Sequence, residues 1–312
     1  MHTFFFYLLL IISIPIFAFA EAGNSDICAK YISDDIELNK DAESSASIPY
    51  GSGLLWKVES KEGKTSHLFG TMHSQDRLVT LIPPQVRLAL VQSQTLVMEV
   101  VLDEEANQIF SESMYISDGK KLNDLLDADI YQRLQTRIID YGIDENNVPQ
   151  LKPWAAFSIL GKPRPVRAPT LDMVLMQMAA STNKLIVGLE SMRELVATLE
   201  SISMDDQIEI LNDTVCNHDE IIGKTRDLVQ LYMARDLAGM VAFNEQPHHD
   251  ETIFNRFMQK ILYDRNSRMI DRMEKYVQGG GAFIAVGASH LPDEKGLLKL
   301  LENKGYKINK VY

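Results

Sequence analysis

Residues 279–291, Gly-Gly-Gly-Ala-Phe-Ile-Ala-Val-Gly-Ala-Ser-His-Leu, describe a strand buried on both faces. The run Ala282 to Val286 is apolar and uncharged, and glycines bound it on either side. Such a run fits a sheet covered on both faces better than one half open to water. It closes in Gly287-Ala288-Ser289-His290, a Gly-x-x-His pattern. One other segment matches it: His67-Leu68-Phe69 leads into Gly70-Thr71-Met72-His73. Two buried strands ending alike, at opposite ends of the chain, set the frame for the rest.

Working outward, LLWKVES (54–60) alternates apolar and polar residues, and a Lys-Glu-Gly-Lys turn joins it to SHLFGTMH, predicting a β-hairpin. Pro83-Pro84 opens a helix through QVRLALVQS, and TLVMEVV (95–101) reads as a buried strand. A long helical stretch over 103–160 follows, broken near Gly142 and Pro149, then by Pro163 and Pro165. LDMVLMQMAAST predicts a helix, KLIVGLES a strand and MRELVATLESI the next helix. Helices are expected over 204–215, 219–243 and 250–278, then the strand of 282–287. KGLLKLLENKGY predicts a helix stopped by Gly305, and KINKVY a closing strand. Strands separated by helices predict an α/β (α+β) fold: a central, mixed or partly parallel sheet with a large helical insertion or cap.

The chain has 312 residues, 46% hydrophobic and 24% charged, proportions that exclude collagen-like, coiled-coil and wholly disordered classes. Its net charge of −12 makes a poor partner for phosphate backbones, so no nucleic acid is expected. Residues 1–20 combine an apolar core with Ala18-Phe19-Ala20, a signal-peptide pattern. The amino-terminal residues Met1-His2-Thr3 lack Lys or Arg. The alternative, an uncleaved anchor, needs about 20 apolar residues to span a bilayer, and Pro15 interrupts this shorter run. A polar leader over 21–50, carrying a loosely attached helix, and one domain over 51–312 follow. The expected place is the periplasm or the secreted space, with no stable membrane span after cleavage. Export permits a disulfide between the two cysteines, Cys28 and Cys216, and the sequence leaves that pairing open.

In open α/β sheets ligands gather beyond the carboxyl ends of the strands. A glycine there allows a sharp turn, and His73 and His290, three residues on, project into the crevice. Glu99 sits within LVMEVV, where a charge needs a partner or a cation, and Glu190 closes LIVGL. Two His and two Glu suit a divalent transition metal, with bound water as nucleophile. Taken singly, each residue has a plain structural role: a hydrogen-bonded core histidine, a half-solvated strand end, or a helix-start charge at Glu190. Four metal-type residues at four strand ends favour a site. Asp264 and Arg268 stand four apart, so Arg268 and Arg272 are expected on a solvated, salt-bridged helix face. His248-His249 is expected on a surface loop, and the 14 Met as core filler.

LWKVES with HLFGTMH, the strand ending in Glu99, VGLES, Asp264-Arg265-Asn266, and AFIAVGASHL with KGLLKLLENKGYKI together resemble the TraB/GumN family. That family is related to the Tiki metalloproteases and, more distantly, to erythromycin-esterase-like and ChaN-like proteins. The resemblance spans about 50–312 and implies a metal-dependent, peptidase-like hydrolase acting on a peptide or protein. It puts the metal on His73, His290, Glu99 and Glu190, and a catalytic role on Glu99, Glu190 and Arg265. Mn, Co and Zn suit such mixed ligands equally. A non-catalytic periplasmic binding or accessory protein on the same scaffold is the alternative.

Overall fold

A computed structural model describes residues 27–31, 48–245 and 249–312. The apolar segment 1–20, most of the polar leader and His248 lie outside the described residues. The hairpin forms as expected: β1 (Leu55–Glu59) and β2 (Thr65–Thr71) pair antiparallel from Leu55↔Phe69 to Glu59↔Thr65. Gly63 turns the chain at φ +76°, a conformation that side-chain-bearing residues resist. The short α1 (Arg77–Thr80) is capped by Asp76, whose carboxylate accepts from the Leu78 N–H. Helix α2 (Pro84–Gln92) starts on a proline, whose missing N–H costs nothing at that position.

β3 (Thr95–Met98) is followed by α3 (Glu104–Ser113), α4 (Ala128–Ile138), α5 (Pro153–Leu160) and α6 (Leu171–Ser181) before β4 (Leu185–Gly188). After β4 come α7 (Met192–Glu200), α8 (Met204–Cys216), α9 (His218–Ala234), α10 (Leu237–Asn244) and α11 (Glu251–Met258). A π-helical turn, Gln259–Tyr263, joins α11 to α12 (Asp264–Gly279). β5 (Ala282–Gly287), α13 (Leu297–Asn303) and β6 (Lys307–Lys310) end the chain.

The sheet runs β4-β3-β5-β2-β1-β6. β4, β3, β5 and β2 are parallel neighbours, and β1 is antiparallel to both β2 and β6. This is the mixed sheet with a helical elaboration that the sequence predicts. The two Gly-x-x-His strands, β2 and β5, lie side by side, paired from His67↔Phe283 to Thr71↔Gly287. One apolar core packs on the sheet, with Phe69, Leu96 and Phe283 from strands and Met269, Met273 and Val277 from α12. A second lies within the cap helices, around Phe110, Leu134, Trp154, Leu211 and Phe257.

Three details differ from expectation. The helix foreseen over 219–243 breaks at Arg235, which adopts φ +61° between α9 and α10. The Asp236 side chain then caps α10 by accepting from Gly239 N–H. The helix foreseen over 250–278 carries the π turn in its middle, which shifts the faces of its two halves relative to each other. The leader's helix, Ile27–Lys30, is pinned: Cys28 is disulfide-bonded to Cys216, and the Tyr31 hydroxyl donates to Glu209 at 2.7 Å. Among the described residues no helix is long and apolar enough to cross a membrane.

Candidate active site

Four parallel strands end on one edge, and each delivers one of the residues picked out from the sequence. Reading across β4, β3, β5 and β2, these are Glu190, Glu99, His290 and His73. Glu99 is the first residue past β3, and His290 ends a short 3-10 turn after β5. The motif glycines serve close approach. Neither Gly70 nor Gly287 has a positive φ, so the sharp-turn role expected of them is not the one they play. A Cβ on Gly70 would meet Leu291 Cδ1 at 2.8 Å and Ala288 Cα at 3.1 Å, so only glycine lets the ends of β2 and β5 lie this close. A Cβ on Gly287 would stand 3.1 Å from Glu99 Oε1, the oxygen that accepts the Gly287 N–H.

Arg265, at the start of α12, is 1% exposed and reaches into this edge. Its Nε donates to Glu190 Oε2 at 2.8 Å and its Nη2 to Glu99 Oε2 at 2.7 Å. Its Nη1 donates to Ile261 O, within the π turn, at 3.3 Å and lies 3.5 Å from His290 Nε2. Arg268 takes the other oxygen of Glu190 at 2.8 Å and Thr198 Oγ1 at 3.0 Å. The expected Asp264–Arg268 pair is absent among the described residues, because Arg268 turns inward to a buried carboxylate and Asp264 accepts from Gln259 instead. Arg272 does lie on a salt-bridged face, with Glu194 at 2.6 Å, and also donates to Leu189 O.

Each imidazole turns Nδ1 to an oxygen, His290 through a hydrogen bond and His73 through a close approach to a carboxylate. His290 Nδ1 lies 2.6 Å from Asn266 Oδ1, and Asn266 Nδ2 donates to Lys295 O at 2.9 Å. That second bond identifies the amide oxygen as the acceptor, so His290 carries its proton on Nδ1 and a lone pair on Nε2. His73 Nδ1 lies 2.5 Å from Asp172 Oδ2, and Thr71 Oγ1 donates to the other oxygen of Asp172 at 3.0 Å. His73 Nε2 and Asp172 Oδ2 are both buried and have no hydrogen-bond partner among the described residues. Asp172 and Asn266 are thus site residues whose roles the sequence did not reveal. Asp172 left one trace, a lone charge in the otherwise apolar run LDMVLM.

Burial pushes the His290 pKa down to about 4, against the pull of Glu99 and with help from Arg265 and His73, so the ring is neutral near pH 7. Burial raises the Glu99 pKa, but His290, Arg265, His73 and the Gly287 N–H outweigh it and hold the carboxyl at about 2. A cavity of about 40 Å³ sits among His73, Glu99, Arg265 and His290, room for a water-sized occupant. Among the described residues, no three His, Cys, Asp or Glu side chains converge closely enough to hold a metal ion as they stand. The donor chemistry nonetheless suits one, since buried His73 Nε2 is orphaned, His290 Nε2 offers a lone pair, and Glu99 Oε1 lies 3.5 Å from it. Glu190 differs, for both of its oxygens accept from guanidiniums.

The model of the TraB/PrgY/gumN family matches residues 54–310, from β1 to β6. The chain belongs to this family. All four strand-end residues and Arg265 fall inside the matched segment. Among curated relatives, Metalloprotease TIKI2 of Danio rerio is 24% identical over 313 residues, covering 82% of this chain and 60% of the relative. Metalloprotease TIKI1 of Xenopus tropicalis is also 24% identical, and that of Homo sapiens 23%, each with 82% of this chain and 61% of the relative covered. The chain therefore spans about three fifths of the length of the curated relatives it matches. No solved structure matches it.

Proposed function

We propose that this chain is an exported, metal-dependent hydrolase with peptidase-like chemistry, in which His73, His290 and Glu99 hold a divalent cation. One observation carries this function. Both imidazoles turn Nδ1 to an oxygen, the hydrogen-bonded Asn266 amide behind His290 and the close Asp172 carboxylate behind His73, and both turn Nε2 to one cavity beside an ionised Glu99. Acceptors behind metal-bound histidines are a regular feature of metal sites, because they fix the tautomer and raise ligand basicity. The relatives' names, all metalloproteases, agree with this chemistry. The Cys28–Cys216 disulfide agrees with export, since such bonds persist in oxidising compartments.

A cation there, whether Zn, Mn or Co, would supply Lewis acidity and lower the pKa of a bound water. The rest of the chemistry belongs to side chains. Asp172 and Asn266 hold the rings in their ligating tautomers. Arg265 keeps Glu99 ionised and offers a fixed, buried positive charge to an oxyanion forming beside His290. Glu190, with Arg268 behind it, is a positioning residue that aims Arg265. A non-catalytic binding role is the second reading, favoured because Arg265 and Arg268 together already balance the charge of Glu99 and Glu190.

Metal content and metal-dependent thermal shift separate the two. The hydrolase predicts uptake of about one ion per chain, lost in both His73→Ala and His290→Ala while far-UV circular dichroism is unchanged. It also predicts cleavage of peptides by the loaded protein. No uptake and no stabilisation by Zn, Mn or Co overturns it in favour of the binding role.

A further inference from the structure

Ten large apolar side chains stand open to solvent among the described residues, and they are unevenly placed. Six of them, Leu78, Leu81, Leu88, Val91, Val166 and Leu185, are 53–74% exposed and belong to α1, α2, the loop before α6 and the start of β4. In the order β4-β3-β5-β2, the steps from β2 to β3 and from β3 to β4 run in one direction. Right-handed crossovers therefore put α2 and α6 on one face of the sheet. Hydrogen bonds stitch this layer together. Gln75 Nε2 donates to Val166 O at 2.7 Å and Ala168 O at 2.6 Å, its Oε1 accepts from Val166 N–H at 2.9 Å, and Lys184 Nζ donates to Val91 O at 2.9 Å. The exposure is not misplaced core. Val79, Ile82, Val86, Ala89 and Leu90 of the same stretch are buried, so Leu78, Leu81, Leu88 and Val91 form a second, outer apolar face.

Cations accompany that face. Segments 74–94 and 162–184 carry Arg77, Arg87, Lys162, Arg164, Arg167 and Lys184 against Asp76 and Asp172, in a chain of net charge −12. Asp172 is buried behind His73, and Asp76 keeps its charge while capping α1. Neighbouring elements reduce the surplus without reversing it. Asp140 pairs with Arg164 at 2.5 Å, and α9, packed on α1, sets Asp219, Glu220 and Asp227 against Lys224 and Arg226. With all of these counted, eight cations stand against six acids, a net of +2. Arg77, Arg87 and Arg167 are exposed and make no ion pair among the described residues. Neither the site cavity nor the larger cleft on the Glu190 side is lined by these arginines or by the six apolar side chains.

We propose that this layer is a peripheral membrane-binding face, which seats the protein on a bilayer rich in anionic phospholipid. The guanidiniums take headgroup phosphates, whose geometry suits a planar fork. The outer leucines and valines enter the boundary between headgroups and acyl chains. A slot for one peptide gathers its groups in a cleft, whereas an array laid along helices on one face of a sheet suits a planar partner. The loop between β2 and α1 carries both His73 and Gln75, so seating brings the candidate site near the bilayer. The inference does not depend on the hydrolase reading.

The test is co-sedimentation of the full chain with vesicles of phosphatidylcholine, either alone or with phosphatidylglycerol mixed in. Binding is expected to be about ten-fold tighter with phosphatidylglycerol and to weaken as salt rises. Reversing the three unpaired guanidiniums together, by Arg77→Glu, Arg87→Glu and Arg167→Glu, is expected to weaken it about 100-fold. Leu78→Ser with Leu81→Ser leaves every charge in place and is expected to weaken it about ten-fold, by removing the apolar surface that enters the bilayer. Far-UV circular dichroism is expected to be unchanged in both variants. Equal binding to the two kinds of vesicle, untouched by either variant, would assign the contact to the apolar segment 1–20 and overturn the proposal. So would binding to neither, or binding of soluble poly-glutamate in place of vesicles, which gives the face to an acidic protein. A dimer of the protein alone that the arginine variant disperses also overturns it, by giving the face to a second copy.

Discussion

The two Gly-x-x-His motifs look alike in sequence and close neighbouring strands, yet they are furnished oppositely. His290 has a neutral amide behind it and a carboxylate and a guanidinium in front, and burial drives its pKa to about 4. His73 has a carboxylate behind it, from Asp172, and nothing bonded to Nε2 among the described residues. A local motif thus fixes where an imidazole stands, while the helix packed behind it fixes what the imidazole can do. On the His290 side that helix is α12, which also brings Arg265. On the His73 side it is α6.

The strongest way to break this asymmetry is to remove its charged member. Arg265→Met leaves buried Glu99 and Glu190 without their common partner and is expected to cost about 3–5 kcal/mol in urea unfolding. A loss under about 1 kcal/mol would mean that the guanidinium does not hold the two carboxylates in solution. Next in size is Asp172→Asn, which gives His73 a neutral acceptor like the one behind His290. Metal affinity by calorimetry is expected to fall about 10–100-fold with stability little changed. An unchanged affinity would leave His73 outside the metal shell. The glycines sharpen the comparison further. Gly70→Ala drives a methyl against the backbone of Ala288 and is expected to cost about 1–3 kcal/mol. Gly287→Ala meets the movable Glu99 carboxylate and should cost less while weakening metal binding, and equal costs would contradict the distinction.

The smallest effect lies away from both motifs and serves as a control. Burial raises Asp213, in α8, to about 7, opposed by its bond from Asn217 and aided by Glu220 and Glu209. Its unfolded pKa is about 3.9, so between these values the folded state binds more protons than the unfolded chain. The sign follows: the contribution is present at low pH and is lost as pH rises through 7. Asp213→Asn should therefore raise Tm by a few degrees at pH 8 and give no gain at pH 5. A gain of equal size at both pH values would show that Asp213 does not titrate there.

The sheet strands were legible because each is a short apolar run between turn residues, and the strand-end chemistry followed from where those runs stop. Glu99, Glu190, His73 and His290 could be named for that reason. Their partners could not, because contact between Arg265 and Glu190, 75 positions apart, depends on how α12 packs across the sheet. Arg268 shows the limit of local rules: Asp264 is four residues away, yet a buried carboxylate competes for the guanidinium and wins. The motif glycines were visible but their purpose was not, because a close approach between β2 and β5 is a property of their pairing. Arg235 ends a helix in a left-handed conformation that no proline or glycine announced.

The Cys28–Cys216 bond spans 188 positions and turns that part of the chain into a covalent ring. His73, Glu99 and Glu190 lie inside the ring, while Arg265 and His290 lie outside it. A single nick anywhere within the ring leaves both fragments joined, so three of the strand-end residues stay on one molecule after a cut that would otherwise shed them. The bond also redirects mechanical load. Tension on the chain ahead of Cys28 enters the molecule at the end of α8, in the helical cap, and bypasses β1 and the edge on which the site is built.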